Sequence, residues 1–543
     1  MKADIVIKGN AVYNGRDRKV FEGGVAVSGN RIAAVGGIEE IDQYIGENTK
    51  VFEYQDKLIM PGIIDNHVHV TMGAMIHSNN VDLIGTKSAE ECVEKVRQYF
   101  RENPDAPMLF TQGWMLNVWD KQEYPTKEML DEISTEVPIC LGTADGWNFW
   151  VNSKALEVFG YTKENIDDKQ SWYVKKDKEG ELTGILYNLG CTPAYFCMLD
   201  LDPETAKPMI KASLDIYNSF GITAAGDVSN EWEIKREPEG FKLYRELEAA
   251  GELKVRLYVY PSIGKTTDFS YAHELQKQYA DGYVIMPGLK AYQDGVIDSY
   301  TGVMVEPYRD DPAQPDRNGE PMFTQEALNE IITAANAEGF PVRVHCTGDG
   351  STRMTLNAFE TSMKANGKHG LRNGIEHIEA CKPEDRPRFA QLGVMANKQP
   401  GHFLLCDEEW YINALGEENW HEIHPFKLLL DAGAPVSLST DFPIIEINPF
   451  SNMYAAVTKC MFDGTPLGTN PDDCMDIYDA LYGYTYMGAY GLGVEDELGS
   501  LEAGKLADIA VIDGRIVDED PKMLLERKAV LTIMDGKIVY HCR

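Results

Sequence analysis

A His-x-His pair at the end of an apolar segment is the strongest chemical signal in the sequence. The segment Leu58–Asp65 is largely apolar, and His67 and His69 follow it closely. Side chains two residues apart on a strand lie on the same face, so we expect the two imidazoles to converge. Convergent neutral imidazoles suit a divalent metal ion. A hydrogen-bonded pair of core histidines is the alternative.

Two further histidines each end a short apolar segment. His345 closes the segment Phe340–His345, and His377 closes Asn373–His377, 32 positions later. A (β/α)8 barrel of about 250 residues averages about 31 residues per βα unit, so this spacing predicts adjacent units. A lone histidine at a strand end is more often structural. Four imidazoles directed at one rim instead favour a metal site.

An aspartate and a lysine complete the set of candidate residues. Asp441 follows the apolar segment Pro435–Thr440, where it either caps the next helix or accepts a proton from an attacking water. Lys290 lies within the apolar segment Leu289–Tyr292, where a buried cation is costly. A neutral amine can add CO2 to give a carbamate that bridges two metals. A lysine that extends to solvent at a barrel end is the alternative.

Short apolar segments that alternate with helical patterns must position these residues. The predicted strands are Leu58–Asp65, Ile222–Val228, Val255–Tyr260, Leu289–Tyr292, Phe340–His345, Asn373–His377, Gly393–Asn397 and Pro435–Thr440. This alternation is typical of α/β proteins and predicts a (β/α)8 TIM barrel, whose active site lies at the carboxyl ends of the strands. About 150 residues separate His69 from Ile222, so we interpret residues 75–215 as a large insertion after strand 1.

The two ends of the chain have matching patterns. Each end contains a β-branched segment and then a hairpin, with turns at Gly29-Asn30 and Asp535-Gly536. We expect the two ends, residues 1–57 and 494–543, to pack into one small β domain. The residues between them, 58–493, are expected to form the barrel. Two unrelated surface hairpins are the alternative.

Composition excludes several classes of protein. The 543 residues are 43% hydrophobic and 25% charged, which excludes a disordered chain. The net charge of −35 repels phosphate backbones and anionic headgroups, so we expect neither nucleic-acid nor membrane binding. We find no CxxC pair among the 10 cysteines, no secretory signal and no apolar run of about 18–20 residues. These features predict a cytoplasmic protein with reduced thiols.

The ordered set of strand-end residues resembles the amidohydrolase superfamily and, more narrowly, its YtcJ-like branch, amidohydrolase family 3. The similarity runs almost end to end and includes Pro61–His69, Gly113-Trp114, Asn152–Leu156, Asp294-Gly295, Glu376-His377, Gln399–His402, Ser439–Pro443 and Gly504–Asp508. The resemblance implies a distorted barrel, a composite β-sandwich formed by both termini, and hydrolysis of C–N or related bonds with bound metal.

The resemblance also implies roles for individual residues. The implied metal ligands are His67, His69, Lys290 as an N6-carboxylated lysine, His345, His377 and Asp441. Asp441 would also be the general base, and His402 would contact substrate or stabilise the oxyanion. One or two zinc ions are expected first, and manganese and iron stay open.

Two departures from the family pattern fall within the predicted insertion. Relatives often have a histidine where this chain has Trp147, after Asp145-Gly146, and a glutamate where it has Asn188. We expect the insertion to line the pocket and the substrate to differ from that of commoner relatives. The expected substrate contacts are Trp114, Trp147 and Asp294. Trp147 as part of the core of the insertion is the alternative.

These observations predict a hydrolase that uses metal-activated water to attack an amide, N-formyl, N-acyl or lactam C–N bond. A deaminase of a heterocyclic or amidine substrate on the same barrel is the alternative. A non-catalytic oligomeric scaffold is a remote alternative, because a scaffold should have lost metal ligands, and the expected ligands are all present here. The expected partner is a small molecule, and the sequence leaves a homodimer open.

Overall fold

The structure is a computed structural model that divides the chain into two compact units. It describes residues 2–79, 81–121, 123–144, 146–166, 173–199, 202–228, 239–309, 317–368, 370–420, 422–468, 470 and 472–542. The first unit comprises Met1–His69 and Leu214–Arg543, and the second comprises Val70–Ser213. The insertion predicted at residues 75–215 overlaps almost completely in sequence with this second unit.

Strands from both ends of the chain form one sheet in the first unit. They are β1 (Ile5–Tyr13), β2 (Val20–Ser28), β3 (Arg31–Gly36), β4 (Lys50–Tyr54), β5 (Lys57–Pro61), β20 (Ile509–Asp513), β21 (Ala529–Met534) and β22 (Lys537–His541). The strand order is β22–β21–β20–β5–β1–β2–β3, and β4 also pairs with β1. Strand β20 runs antiparallel to β5, with Ile509 opposite Pro61. The predicted turns at Gly29-Asn30 and Asp535-Gly536 connect hairpins of this sheet.

Two parallel sheets contain the strands that precede the candidate residues. One has the order β14–β13–β12–β6 and the other β15–β16–β17–β18–β19. Their bounds are β6 (Ile63–Val68), β12 (Ile222–Val228), β13 (Arg256–Tyr260), β14 (Val284–Ile285), β15 (Leu289–Tyr292), β16 (Val342–Cys346), β17 (Gly374–His377), β18 (Met395–Lys398) and β19 (Val436–Leu438). These strands are almost entirely buried, as expected for parallel sheets covered on both faces.

The predicted closed barrel is not confirmed. Within the described ranges, the ladders of the two parallel sheets do not join into one closed sheet. Backbone hydrogen bonds of 2.9 Å nevertheless join them at both sides, from Lys290 N to Pro261 O and from Asp441 N to His67 O. The second connection continues past Asp441, because His69 N donates to Phe442 O at 2.8 Å.

The predicted strand Leu58–Asp65 is wrong as a single element. The chain divides at Gly62, so that Lys57–Pro61 joins the sheet of the termini and Ile63–Val68 joins a parallel sheet. Gly62 is required here because a Cβ atom at this position would lie 2.2 Å from Oγ1 of Thr223.

Helices alternate with the strands of the first unit. They are α1 (Ile38–Asp42), α8 (Glu239–Ala249), α9 (Ser270–Gln278), α10 (Gln325–Ala337), α11 (Asp349–Asn366), α12 (Arg386–Leu392), α13 (Glu408–Leu415), α14 (Glu417–Trp420), α15 (Lys427–Asp431), α16 (Pro449–Thr458), α17 (Ile477–Gly483) and α18 (Tyr486–Leu492), while α7 (Pro203–Ser219) spans the boundary of the units. Helix α10 is an example of how the sequence determines a helix. Thr324 caps its start by accepting a hydrogen bond from Ala327 N. Its buried Leu328, Ile331 and Ala335 recur at helical spacing.

The second unit has its own sheet and apolar core. Its strands are β7 (Leu109–Trp114), β8 (Ile139–Thr143), β9 (Asn148–Val151), β10 (Val174–Lys176) and β11 (Leu182–Tyr187), in the order β10–β11–β9–β8–β7. Its helices are α2 (Val70–Ser78), α3 (Ala89–Glu102), α4 (Lys127–Asp131), α5 (Ser153–Val158) and α6 (Thr192–Leu199). Across the described part of the chain, no helix is long and apolar enough to span a bilayer.

A buried ion pair links strand β13 to the sheet of the termini and gives a first testable prediction. Arg256 donates to both oxygens of Asp508 at 3.1 Å and to Asp535 at 3.0 Å. Arg256→Met leaves the buried Asp508 carboxylate without its cationic partner, so we expect the free energy of unfolding to fall by about 3–5 kcal/mol. Arg515→Met is the control, because its pair with Asp518 is exposed and should contribute about 1 kcal/mol or less. Equal shifts in urea denaturation would contradict this assignment.

Candidate metal centre

The carboxyl ends of successive strands bring the candidate ligands together in the first unit. The residues lie on or directly after β6, β15, β16, β17 and β19, in the order His67 and His69, Lys290, His345, His377 and Asp441. The side chains are buried, apart from His69, which is about 10% exposed. Parallel strands present their carboxyl ends on one side of a sheet, so this gathering follows from the topology.

The Asp441 carboxylate lies at the centre of the cluster. Its Oδ1 lies 3.3 Å from His67 Nε2 and 3.2 Å from His69 Nε2. Its Oδ2 lies 3.0 Å from His402 Nε2 and 3.7 Å from His377 Nδ1. One carboxylate therefore faces four imidazoles from three separate parts of the chain.

The geometry and the donor atoms of this cluster fit a metal ion. One ligand atom each of His67, His377 and Asp441 lie within 4.8 Å of one another. Ligand atoms around tetrahedral zinc lie about 3.3 Å apart, given bond lengths of about 2.0–2.1 Å. His377 Nδ1 is buried and has no hydrogen-bond partner among the described residues, which is costly unless a cation or water occupies the site. The donor set is therefore the one that a divalent metal prefers.

Three histidines of the cluster, His67, His345 and His377, have lowered pKa values, which favours the neutral form that a metal ligand needs. Burial, together with the charge of Lys290, lowers the pKa of His67 and lowers that of His345 to about 3. Burial and the neighbouring His345 hold the pKa of His377 well below its ordinary value. The ring centroids of His345 and His377 are 4.4 Å apart, so His345 belongs to the same cluster.

Lys290 is fully buried beside these histidines. Its Nζ has no hydrogen-bond partner in the described part of the chain and lies 5.0 Å from the ring centroid of Tyr292. Burial lowers the pKa of Lys290 to about 8, which makes the neutral amine accessible near neutral pH. The structure thus excludes the alternative of a lysine that extends to solvent.

Hydrogen bonds fix the orientation of three imidazoles. His67 Nδ1 lies 2.5 Å from Oε2 of Glu376, and His69 Nδ1 lies 2.9 Å from the carbonyl of Val228. His345 Nε2 lies 2.9 Å from the carbonyl of Gly295. An imidazole that donates from one nitrogen presents a lone pair at the other, so these contacts select the nitrogen that faces a metal.

Glu376 and Arg343 lie directly beside the cluster, although no role was predicted for either from the sequence. Glu376 accepts hydrogen bonds from Arg343 Nε at 2.7 Å and from Asn397 Nδ2 at 2.7 Å. Burial disfavours its charge, but Arg343 and His67 outweigh burial and hold the pKa of Glu376 below its ordinary range. Arg343 could have been predicted to lie near the cluster, because it stands two residues before His345 and therefore on the same strand face.

We expect Glu376→Gln to weaken metal binding by about 10–100-fold, because His67 loses its charged partner. Competition with a chelator of known affinity measures this change. Ser437→Ala is the matched control, because Ser437 bonds to Asn66 and Asn397 in the same buried network without touching His67. Equal losses of affinity in both variants would show that the network acts only on stability.

His402 lies between two carboxylates at the edge of the cluster. It follows β18 in the 3-10 helix Pro400–Leu405, and its Nδ1 lies 2.9 Å from Oε1 of Glu379. Burial disfavours its charge, but hydrogen bonds with Asp441 and Glu379 outweigh burial and raise the pKa of His402 to about 9. Glu379 was not singled out from the sequence, because a carboxylate two residues after His377 has no distinctive pattern.

The three predicted substrate contacts lie in different surroundings. Asp294 is fully buried and accepts hydrogen bonds from Val303 N, Thr347 N and Gly348 N, so it organises loops after β15 and β16. Trp114 is buried in the core of the second unit, where its Nε1 donates to Leu141 O at 2.8 Å.

Trp147 is half-buried in the same unit, and Asp145 lies outside the described residues. The roles of Trp114, Trp147 and Asp294 in substrate binding stay predictions.

Known proteins resemble this chain over nearly its whole length. The family profile described as "Amidohydrolase family" matches residues 50–540. The chain is 25% identical over 520 residues to the putative amidohydrolase YtcJ of Bacillus subtilis (strain 168), with 95% of each chain covered. It is 25% identical over 536 residues to the N-substituted formamide deformylase of Arthrobacter pascens, which covers 95% of this chain and 94% of the relative. A solved structure of an uncharacterized metal-dependent hydrolase from Pyrococcus furiosus matches with a TM-score of 0.72 and 25% identity, over 95% and 99% of the two chains.

Proposed function

The chain belongs to the amidohydrolase family of metal-dependent hydrolases, and from this premise we propose that it cleaves a non-peptide C–N bond of a small molecule. The proposed bond is an amide, N-formyl, N-acyl or lactam bond. A relative of nearly equal length is an N-substituted formamide deformylase, which supports this bond type. We further propose that the enzyme acts in the cytoplasm on a diffusible substrate.

The cluster around Asp441 is the single observation on which the proposal depends most. Neutral imidazoles and one carboxylate converge in a buried site, and His377 Nδ1 there has no protein partner within the described residues. His67, His69, His345, His377, Asp441 and Lys290, the last as a carbamate, would hold one or two zinc ions. A bound metal would polarise the scissile carbonyl and lower the pKa of water to about 7.

Asp441 is proposed as the general base. Burial disfavours its charge, but His67, His402 and His69 outweigh burial and hold the pKa of Asp441 well below its ordinary value. The carboxylate is therefore ionised at neutral pH and can accept a proton from the attacking water. It then transfers this proton to the leaving amine, which is the usual double role of such a group.

His402 is proposed to stabilise the developing oxyanion. Because the pKa of His402 is raised to about 9, the ring carries a proton on both nitrogens at neutral pH. Glu379 holds Nδ1 and thereby aims Nε2 at the Asp441 side of the site. A cation fixed in a buried site stabilises developing negative charge without having to reorganise.

Metal removal and a substrate screen test the proposal. We expect a chelator to abolish turnover and zinc or manganese to restore it. The screen compares N-formyl and N-acyl amines and lactams with heterocyclic amidines, and hydrolysis of the first group is expected. Ammonia release from the amidines alone would instead support the deaminase alternative.

Substitution of the histidines tests the ligand assignment. Changing His67, His69, His345 and His377 together to Ala should remove the metal. His273→Ala is the matched control, because His273 is exposed and contacts only Glu338 among the described carboxylates. Stoichiometric metal in the quadruple variant would contradict the assignment.

A further inference from the structure

The backbone at the end of strand β17 is left-handed at two successive residues. His377 has φ 69° and Ile378 has φ 50°. Positive φ is uncommon outside glycine, and for a β-branched residue such as Ile378 it is a genuine outlier. Strain of this kind persists only where the surrounding structure holds it, and it clusters at functional sites. The neighbours of this turn must therefore hold it in place.

Lys398, on the neighbouring strand β18, bonds directly to this turn. Its Nζ donates to the carbonyl of His377 and, at 2.8 Å, to the carbonyl of Ile378. The next residue, Gln399, accepts a hydrogen bond from His377 N through its side-chain Oε1 at 3.0 Å. Two consecutive side chains thus bond to three main-chain groups of the strained residues.

Burial of the Lys398 side chain costs free energy, and these hydrogen bonds are what offset that cost in the structure. Lys398 is fully buried, and no carboxylate of the described residues lies within ion-pair distance of its Nζ. The nearby Lys459 is different, because its buried Nζ pairs with Asp473 at 2.7 Å. The Nζ atoms of both lysines face the Phe426 ring, at 5.4 Å and 5.0 Å from its centroid. A fully buried lysine whose hydrogen bonds go only to two main-chain carbonyls points to a requirement at those carbonyls.

The turn has a direct effect on the metal centre. Glu376 and His377 are consecutive, and regular strand alternation would direct their side chains to opposite faces. In the structure both reach the cluster, since Glu376 contacts His67 and His377 Nδ1 lies 3.7 Å from Asp441. The left-handed conformation at His377 makes this possible.

We propose that Lys398 is a positioning residue, which fixes the main chain of His377 so that its Nδ1 faces the metal centre. The inference rests on the proposed function, because it concerns a ligand of the proposed metal. Lys398 itself touches neither metal nor substrate. Its action passes through the two carbonyls that it holds.

Cobalt binding to the full chain tests the inference. Co²⁺ in place of zinc has visible absorption bands that report the geometry of its ligands. We expect Lys398→Met to change this spectrum and to raise the Co²⁺ dissociation constant by about tenfold or more, in the range found when the support of a ligand is lost. Lys459→Met is the matched control. It removes a buried lysine over the same ring but does not contact His377, so we expect the wild-type spectrum and affinity.

The outcomes separate this inference from the proposed function. A wild-type chain that bound no Co²⁺ would contradict the proposed function and, with it, the inference. A wild-type spectrum and affinity in Lys398→Met would contradict the inference alone, as would equal changes in the Lys459→Met control. If Lys398→Met does not fold, Lys398→Gln replaces it, because its neutral amide falls one bond short of the two carbonyls. An unchanged cobalt spectrum in that variant would count equally against the inference.

Discussion

Asp441→Asn should lower kcat by about 10² or more while the metal content stays close to that of the wild type. The amide keeps the size of the side chain and one oxygen for the neighbouring imidazoles, but it cannot accept a proton. Asp441 is buried and faces His67, His69, His377 and His402, so no other carboxylate of the described residues lies at the centre of this cluster. Steady-state kinetics together with metal analysis of the same samples measure both quantities.

Asp385→Asn is the matched control for this prediction. Asp385 is also buried, and it pairs with Arg353 and Arg388 away from the cluster. We expect this variant to lose stability and to keep its kcat. If Asp441→Asn lost its metal as completely as His67→Ala, Asp441 would be chiefly a ligand. Near-normal turnover would show that Asp441 is not the general base; it is not a helix cap either, because the next helix begins at Pro449 and is capped by Asn448.

Lys290→Arg should have no measurable turnover. In the proposed modification, the neutral Lys290 amine would form an N–C bond to the carbon of CO2 and release one proton to solvent, which would give the carbamate. Burial makes this amine available by lowering the pKa of Lys290 to about 8. A guanidinium stays protonated at every accessible pH and cannot react in this way. Labelling with ¹³C-bicarbonate should give a carbamate resonance in the wild type and none in the variant.

Two further variants distinguish loss of the carbamate from loss of the fold. Lys290→Ala should also be inactive, and formate should partly restore its turnover by occupying the position of the carbamate oxygens. Lys505→Arg is the control, because Lys505 is another buried lysine, bonded to Ser500 and to main-chain carbonyls. An active Lys290→Arg enzyme would exclude the carbamate.

The family and most site-bearing strands could be predicted from the sequence, and both predictions are confirmed. Apolar segments that end in a histidine or an aspartate have a local signature, because burial on both faces requires a continuous apolar run. The segment Gly374–His377 is an example, since its strand begins one residue after the predicted start and ends at the predicted residue. The family follows from the order of these residues along the chain.

The support of the ligands could not be predicted in the same way. The bond between Glu376 and His67 joins residues 309 positions apart, and no local pattern encodes such a contact. The left-handed turn at His377 is likewise set by Lys398, 21 positions later. The division of the first strand at Gly62 depends on the close approach of Thr223. In each case, tertiary packing overrides the local rule.

The pairing of β5 with β20 has a consequence for how the protein is made. One edge of β5 (Lys57–Pro61) pairs with β1, but its other edge pairs with Ile509–Asp513, about 450 residues later. At about 5–20 residues per second, synthesis of the intervening chain takes roughly 20–90 s, during which that edge of β5 stays unpaired. Contacts between such distant segments also form slowly after release, because loop closure must precede them. We therefore expect the exposed edge of β5 in newly made chains to be open to mispairing until the C-terminal strands are synthesised.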